Sequence, residues 1–85
     1  MWFVYIVRCA DDTLYTGIAK DVERRIEEHN SSDALAASYT RARRPVALAY
    51  REAAETRSAA LKREYEIKQL TRQEKDELLR TAVTG

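Results

Sequence analysis

The chain opens with an unbroken apolar and aromatic run from Trp2 to Val7. Successive side chains of a strand face opposite ways, and here both alternating sets, Trp2/Val4/Ile6 and Phe3/Tyr5/Val7, are hydrophobic. A strand covered on both faces, and therefore central in its sheet, satisfies that pattern. Asp11, Asp12 and Thr13 are turn formers, and Leu14 to Ile18 resumes a β-prone segment, so the first two elements read as a hairpin. Gly17 is the only glycine in the chain's interior. It marks a backbone that takes positive φ or is closely approached.

Beyond the hairpin the period changes. Asp21 is placed to cap a helix from Val22 to about Asn30, with Glu23 in the favourable first turn. At about 100° per residue, Val22, Arg25, Ile26 and His29 share one side, and Arg24, Glu27 and Glu28 face away. Residues 30–38 are small and polar and lead through Tyr39, Thr40 and the arginines to Pro45, a loop with at most a short helical turn. Val46 to Tyr50 predicts a third strand. Thr56 or Ser58 caps a second helix ending near Leu70, and Thr71 with Glu74 forms a capping box for a last helix from Arg72 to about Ala82. The order is β-β-α-β-α-α, an α/β (α+β) architecture in a single domain over residues 1–85.

Composition narrows the class. With 85 residues, 45% hydrophobic and 34% charged, the chain has the mix of a globular domain rather than of a disordered or fibrous one. A domain of this length buries roughly two-thirds of its unfolded surface, so site and core must share residues. The run from Met1 to Val7 falls far short of the ~20 residues that span a membrane, and no small-residue cleavage site follows, which predicts neither secretion nor membrane insertion. One cysteine, Cys9, makes no internal disulfide, and one histidine leaves no Cys/His set for zinc. A reducing compartment, the cytoplasm, is expected.

The net charge of +1 argues against holding nucleic acid by bulk electrostatics, but the charge is unevenly placed. From Ala34 to Arg51 there is no acid, while Arg41, Arg43, Arg44 and Arg51 lie in that window. Of the 15 basic residues 11 are Arg, which suits bidentate phosphate binding and equally follows from high-GC codon usage. In the second helix, Ala60, Leu61 and Ile67 define an apolar stripe with Glu64 near its middle and Lys68 one turn on. A carboxylate there needs a partner. Either an intrahelical Glu64 to Lys68 pair or a hard divalent cation such as Mg²⁺ supplies one.

Set together, these features resemble a known family. Val4-Tyr5-Ile6 and, ten residues later, Tyr15-Thr16-Gly17 resemble the paired tripeptides of the GIY-YIG nuclease superfamily. The resemblance continues through Asp21-Val22-Glu23-Arg24-Arg25 to His29-Asn30, then Arg43-Arg44-Pro45 and Ala59 to Glu64, covering nearly the whole chain. It is similar to the small stand-alone bacterial branch, itself similar to the catalytic module of structure-selective endonucleases that cut branched DNA. The resemblance implies a small three-stranded, mostly antiparallel sheet flanked by helices. It further implies that Tyr5 and Tyr15 position or deprotonate the attacking water, that Arg25 contacts the scissile phosphate with His29 one turn on, and that Glu64 binds the divalent metal, Mg²⁺ or Mn²⁺. An Arg fork and one such ion are what a pentacovalent transition state requires. Asn30, Thr40, Arg41, Arg43, Arg44 and Lys68 are candidate nucleic-acid contacts, with the loop residues equally readable as a solvated loop.

Blander readings stand beside these roles. Tyr5 and Tyr15 suit amphipathic core positions, and His29 suits a helix-end histidine stabilised by the dipole. Tyrosine, with a free pKa of about 10, accepts a proton only where nearby cations lower that value. Ile18 stands where some relatives have a lysine, Lys20 lies two residues further on, and a C-terminal asparagine of some relatives has no match. Without an appended zinc, helicase or DNA-binding domain, affinity is expected to be low, with specificity set by DNA shape or a protein partner. The expected function is metal-dependent cleavage of branched, flapped or single-stranded DNA in repair or recombination, and the alternative is a nucleic-acid-binding adaptor of the same fold. A protein-interaction domain without any nucleic-acid role is a third reading.

Overall fold

The apolar N-terminal run forms β1 (Trp2–Arg8), the middle strand of a three-stranded sheet in a computed structural model that describes residues 1–84, with side chains as far as Thr81. β2 (Leu14–Ala19) and β3 (Ala47–Ala54) pair with it on either side, both antiparallel, in the order β2-β1-β3. Among the described residues four helices complete the fold: α1 (Val22–Ser31), the single turn α2 (Ser38–Arg41), α3 (Arg57–Lys68) and α4 (Arg72–Thr84). Among the described residues, no helix is long and apolar enough to cross a membrane.

The two hydrophobic faces of β1 serve two separate cores. Val4 and Ile6 pack with Ala60 and Ile67 of α3 and Leu79 of α4, and Tyr5 and Val7 pack with Cys9, Val22 of α1 and Val46. The hairpin turn is closed by Cys9 N–H donating to Thr13 O at 2.8 Å and Asp12 N–H donating to Cys9 O at 2.9 Å. Asp12 sits at φ 68°, a left-handed conformation that aspartate tolerates better than most residues.

The caps lie where the sequence puts them. The Asp21 carboxylate accepts from Arg24 N–H at the start of α1, and Thr56, not Ser58, caps α3 by accepting from Ala59 N–H. At α4, Thr71 N–H donates to the Glu74 carboxylate at 2.8 Å while Glu74 N–H donates to the Thr71 hydroxyl at 3.2 Å. That exchange is a complete capping box.

Two expectations need correction. β3 runs four residues past Tyr50, pairing with β1 as far as Trp2 opposite Ala54, because an edge strand is held by backbone hydrogen bonds and needs no apolar pattern. Leu61 lies outside the buried stripe of α3, at 38% exposure, because it is a full 100° from Ala60 and falls on the helix flank. The short helical turn allowed within the loop does form, as α2, with Arg41 N–H donating to Ala37 O at 3.0 Å.

Asn30 joins α1 to the start of β3. Its amide donates to Val46 O at 2.9 Å and accepts from Val46 N–H at 2.7 Å, standing in for a neighbouring strand. Asn30→Ala leaves both backbone groups of the buried Val46 without a partner. Urea unfolding should show a stability loss of about 1–3 kcal/mol, with Asn30→Asp, which keeps the acceptor, losing less.

Candidate active site

Tyr5 points from the central strand across its neighbour β2, directly over Gly17, its partner in the strand register. A Cβ at Gly17 would lie 2.6 Å from the Tyr5 hydroxyl and 2.8 Å from the ring carbon that carries it. Gly17 has negative φ, so of the two reasons for a glycine here, close approach is the one that applies. Past Gly17 the Tyr5 hydroxyl meets His29 Nε2 at 2.8 Å, and His29 Nδ1 lies 2.8 Å from the Thr40 hydroxyl. His29 and Thr40 are both 0% exposed. No buried side-chain polar atom among the described residues lacks a hydrogen-bond partner.

Burial sets the protonation of this pair. It pushes the Tyr5 phenol up to about 12, against the opposing pull of the Arg25 guanidinium. It also draws the His29 imidazole down to about 4, with Arg25 acting in the same direction. At neutral pH both groups are uncharged. The cation-lowered tyrosine that would act as a base by itself is therefore not what the fold builds.

Around the pair stand the other candidates. Arg25, one turn before His29, is anchored through Nη1 on Glu28 at 3.1 Å and on Leu35 O at 2.7 Å, which fixes its charge beside Tyr5. Tyr15 meets His29 edge-on, with centroids 5.5 Å apart, and stacks on Tyr39 at 5.9 Å and 25°. Arg43 lies over the Tyr39 ring at 3.9 Å. Sequence reasoning gave Tyr39 no role, and no local pattern could have supplied one, since its contact with Tyr15 closes only in the folded chain.

Glu64 comes from α3, which lies against β1 and β2, and its charge bears on the Tyr5 phenol. The carboxylate is 19% exposed, with the Lys68 ammonium 3.4 Å away, so the intrahelical pair is formed. No cluster of three or more His, Cys, Asp or Glu side chains suited to a metal occurs among the described residues. A single half-buried carboxylate does not fit an all-protein cage. It does fit Mg²⁺ or Mn²⁺ held with several waters, as the hydration preference of Mg²⁺ requires.

The expected nucleic-acid contacts separate into two groups. Thr40 faces inward and is fully buried, its hydroxyl taken up by His29 and by Ala37 O at 3.0 Å, so it is no surface contact. Asn30 holds Val46. Arg44 donates to His29 O at 2.6 Å, Ser32 O at 3.0 Å and Asp33 at 2.9 Å, and Arg43 donates to Asp11 at 3.1 Å and Tyr39 O at 3.0 Å. Arg41 is exposed and donates to Asp33 O at 2.7 Å. The acid-free run of arginines thus ties its own loop to α1 and to the hairpin turn.

Tyrosines from two adjacent strands thus meet a histidine and an arginine of one helix, with a glutamate on another whose charge reaches the same phenol. The chain belongs to the GIY-YIG family, a family of endonucleases: residues 1–77 match the GIY-YIG catalytic domain. It is 60% identical over 84 residues to a UPF0213 protein of Desulfotalea psychrophila, covering 99% of this chain and 76% of that one. A UPF0213 protein of Staphylococcus aureus is 59% identical over 78 residues, covering 92% and 93%. The solution NMR structure of a UPF0213 protein from Bacillus halodurans is similar at a TM-score of 0.60 and 39% identity, over 95% of this chain and 85% of that one.

Two measurements test this geometry. His29 is held neutral in the fold and takes a proton near pH 6.5 when unfolded. Below 6.5 the unfolded chain binds a proton that the native chain refuses, so His29 favours folding fully above that pH and its contribution is lost as pH falls toward 4. NMR titration of the imidazole should give a midpoint near 4, with unfolding free energy falling across the window by on the order of 3 kcal/mol; a midpoint near 6.5 would contradict the burial. Gly17→Ala drives a methyl into a buried phenol and should cost about 1–3 kcal/mol in urea unfolding.

Proposed function

We propose that this protein is a divalent-metal-dependent endonuclease that hydrolyses DNA phosphodiester bonds, structure-selective and acting in repair or recombination. The observation that carries the reading is the Tyr5 hydroxyl held 2.8 Å from the neutral, buried His29, beside Arg25. The phenol oxygen accepts a proton from the attacking water while its own proton passes to His29 Nε2. The water oxygen forms the new bond to phosphorus, and the leaving oxygen departs and takes a proton from solvent. Such positioned proton transfer contributes about 10²–10⁴-fold.

Arg25 neutralises charge on the phosphoryl oxygens, in a site where burial strengthens its effect. Tyr15, braced by Tyr39, flanks His29 on the β2 side. Glu64 would hold Mg²⁺ or Mn²⁺, which when bound supplies further positive charge at the phosphate. Because Arg43 and Arg44 are engaged within the loop, the chain alone binds nucleic acid weakly. Affinity then comes from Arg41 and Lys68, which are exposed and exchange single contacts with Asp33 O and Glu64 for phosphate, from the shape of branched, flapped or single-stranded DNA, and from a protein partner.

End-labelled duplex, single strand, 5′ flap, fork and four-way junction, incubated with Mg²⁺, Mn²⁺ or EDTA, test the reading. Metal-dependent cutting of one class is expected, falling by at least about 10²-fold in Glu64→Gln and Arg25→Ala while circular dichroism shows the fold intact. Salt-sensitive binding without product in either metal would instead establish a binding adaptor.

A further inference from the structure

The Thr40 hydroxyl has one proton and two neighbours. Ala37 O, 3.0 Å away, can only accept, so the proton is spent there. What Thr40 then offers His29 Nδ1 at 2.8 Å is a lone pair, and Nδ1 must carry the imidazole proton. Nε2 is left bare, and the Tyr5 hydroxyl 2.8 Å from it must donate. One backbone carbonyl therefore sets the direction of the whole chain: Tyr5 O–H to Nε2, Nδ1–H to Thr40, Thr40 O–H to Ala37 O. In the opposite tautomer Nε2–H would donate to the phenol, Tyr5 could pass no proton to His29, and the Thr40 proton would have to turn from Ala37 O, which would keep only Arg41 N–H, toward Nδ1.

We propose that Thr40 is a positioning residue that fixes His29 in the Nδ1–H tautomer and so makes Nε2 the acceptor of the Tyr5 proton. The proposal rests on the reading of Tyr5 and His29 as a proton-transfer pair, but the tautomer is measurable without any cleavage. The turn that carries Thr40 is built for the task. The next residue back, Tyr39, braces Tyr15, so one helical turn touches two of the candidate catalytic side chains. The turn is itself fastened at the hairpin, where Ala10 N–H donates to Arg43 O at 3.0 Å and Arg43 pairs with Asp11, and at the end of α1 through Arg44 and His29 O. Arginines placed in the sequence as if for phosphate thus hold the turn that holds the histidine.

His29 is the only histidine of the chain, so a long-range ¹H–¹⁵N correlation spectrum of uniformly ¹⁵N-labelled protein at pH 7 contains one imidazole and reads its tautomer directly. Wild type is expected as Nδ1–H, and the Nε2–H form in wild type would overturn the proposal even if no variant folds. Thr40→Val, which replaces the hydroxyl with a methyl, should move the population toward Nε2–H, and Thr40→Ser should restore it. An unchanged tautomer in folded Thr40→Val would also overturn the proposal. On a cleavable substrate, Thr40→Val should lower kcat by on the order of 10²-fold with KM within about twofold, and Thr40→Ser should recover most of the loss. A flipped tautomer with kcat unchanged would overturn the positioning role. Should wild type cut nothing, the nuclease reading fails while the tautomer spectrum still decides between a hydroxyl that orients the imidazole and one that only fills space.

Discussion

A phenol on the central strand can cross a neighbouring strand only where that neighbour has no side chain. Strands lie about 4.8 Å apart, so the Tyr5 ring spans the gap to β2 and occupies the place where a Cβ would stand on Gly17. Once the ring lies there, its hydroxyl emerges beyond the middle of the sheet, beneath α1. A partner must be found for it out of water, because a buried hydroxyl without a hydrogen bond is costly. His29 is that partner, and its own second nitrogen passes the same demand on to Thr40 and then to a backbone carbonyl. The burial of His29, the turn α2 and the clamps that hold it all trace to one missing side chain.

The protonation states follow from the same burial. A phenol pushed to about 12 holds its proton, and an imidazole drawn to about 4 takes none, so the resting pair is neutral and inert. An anionic phosphate arriving beside them works in the other direction on the imidazole, since nearby negative charge favours its protonated form. Arg25 opposes this in the free protein. On the proposed reading a phosphate at Arg25 would offset that opposition, and the pair would accept a proton better with substrate in place than without it.

Much of this was legible in the sequence, and the exceptions have physical reasons. The doubly apolar run, the Asp21 cap and the Thr71/Glu74 box are local signals, and local signals identified β1, α1 and α4. The tripeptide spacing brought Tyr5 and Tyr15 to one face because they lie on adjacent strands two positions out of register, Tyr5 opposite Gly17 and Tyr15 opposite Val7, and Arg25 and His29 are one turn apart on α1. What could not be read was the use of side chains across long loops. An arginine in an acid-free run looks free until folding brings Asp11, Asp33 and several carbonyls to it. Thr40 looks like a surface hydroxyl until the loop folds back on α1. The far half of β3 escaped notice because backbone pairing at an edge leaves little trace in side-chain pattern.

One strand supplies both cores, and this binds the site to the whole molecule. Val4 and Ile6 anchor α3 and α4 on one face, and Tyr5 and Val7 anchor α1 on the other, with no second layer to carry either face alone. Withdrawing β1 from one face withdraws it from the other. Tyr5 belongs to that strand, so the hydroxyl at the centre of the site is tied to both cores at once, and in so small a domain the precision of the site and the integrity of the fold rest on the same strand.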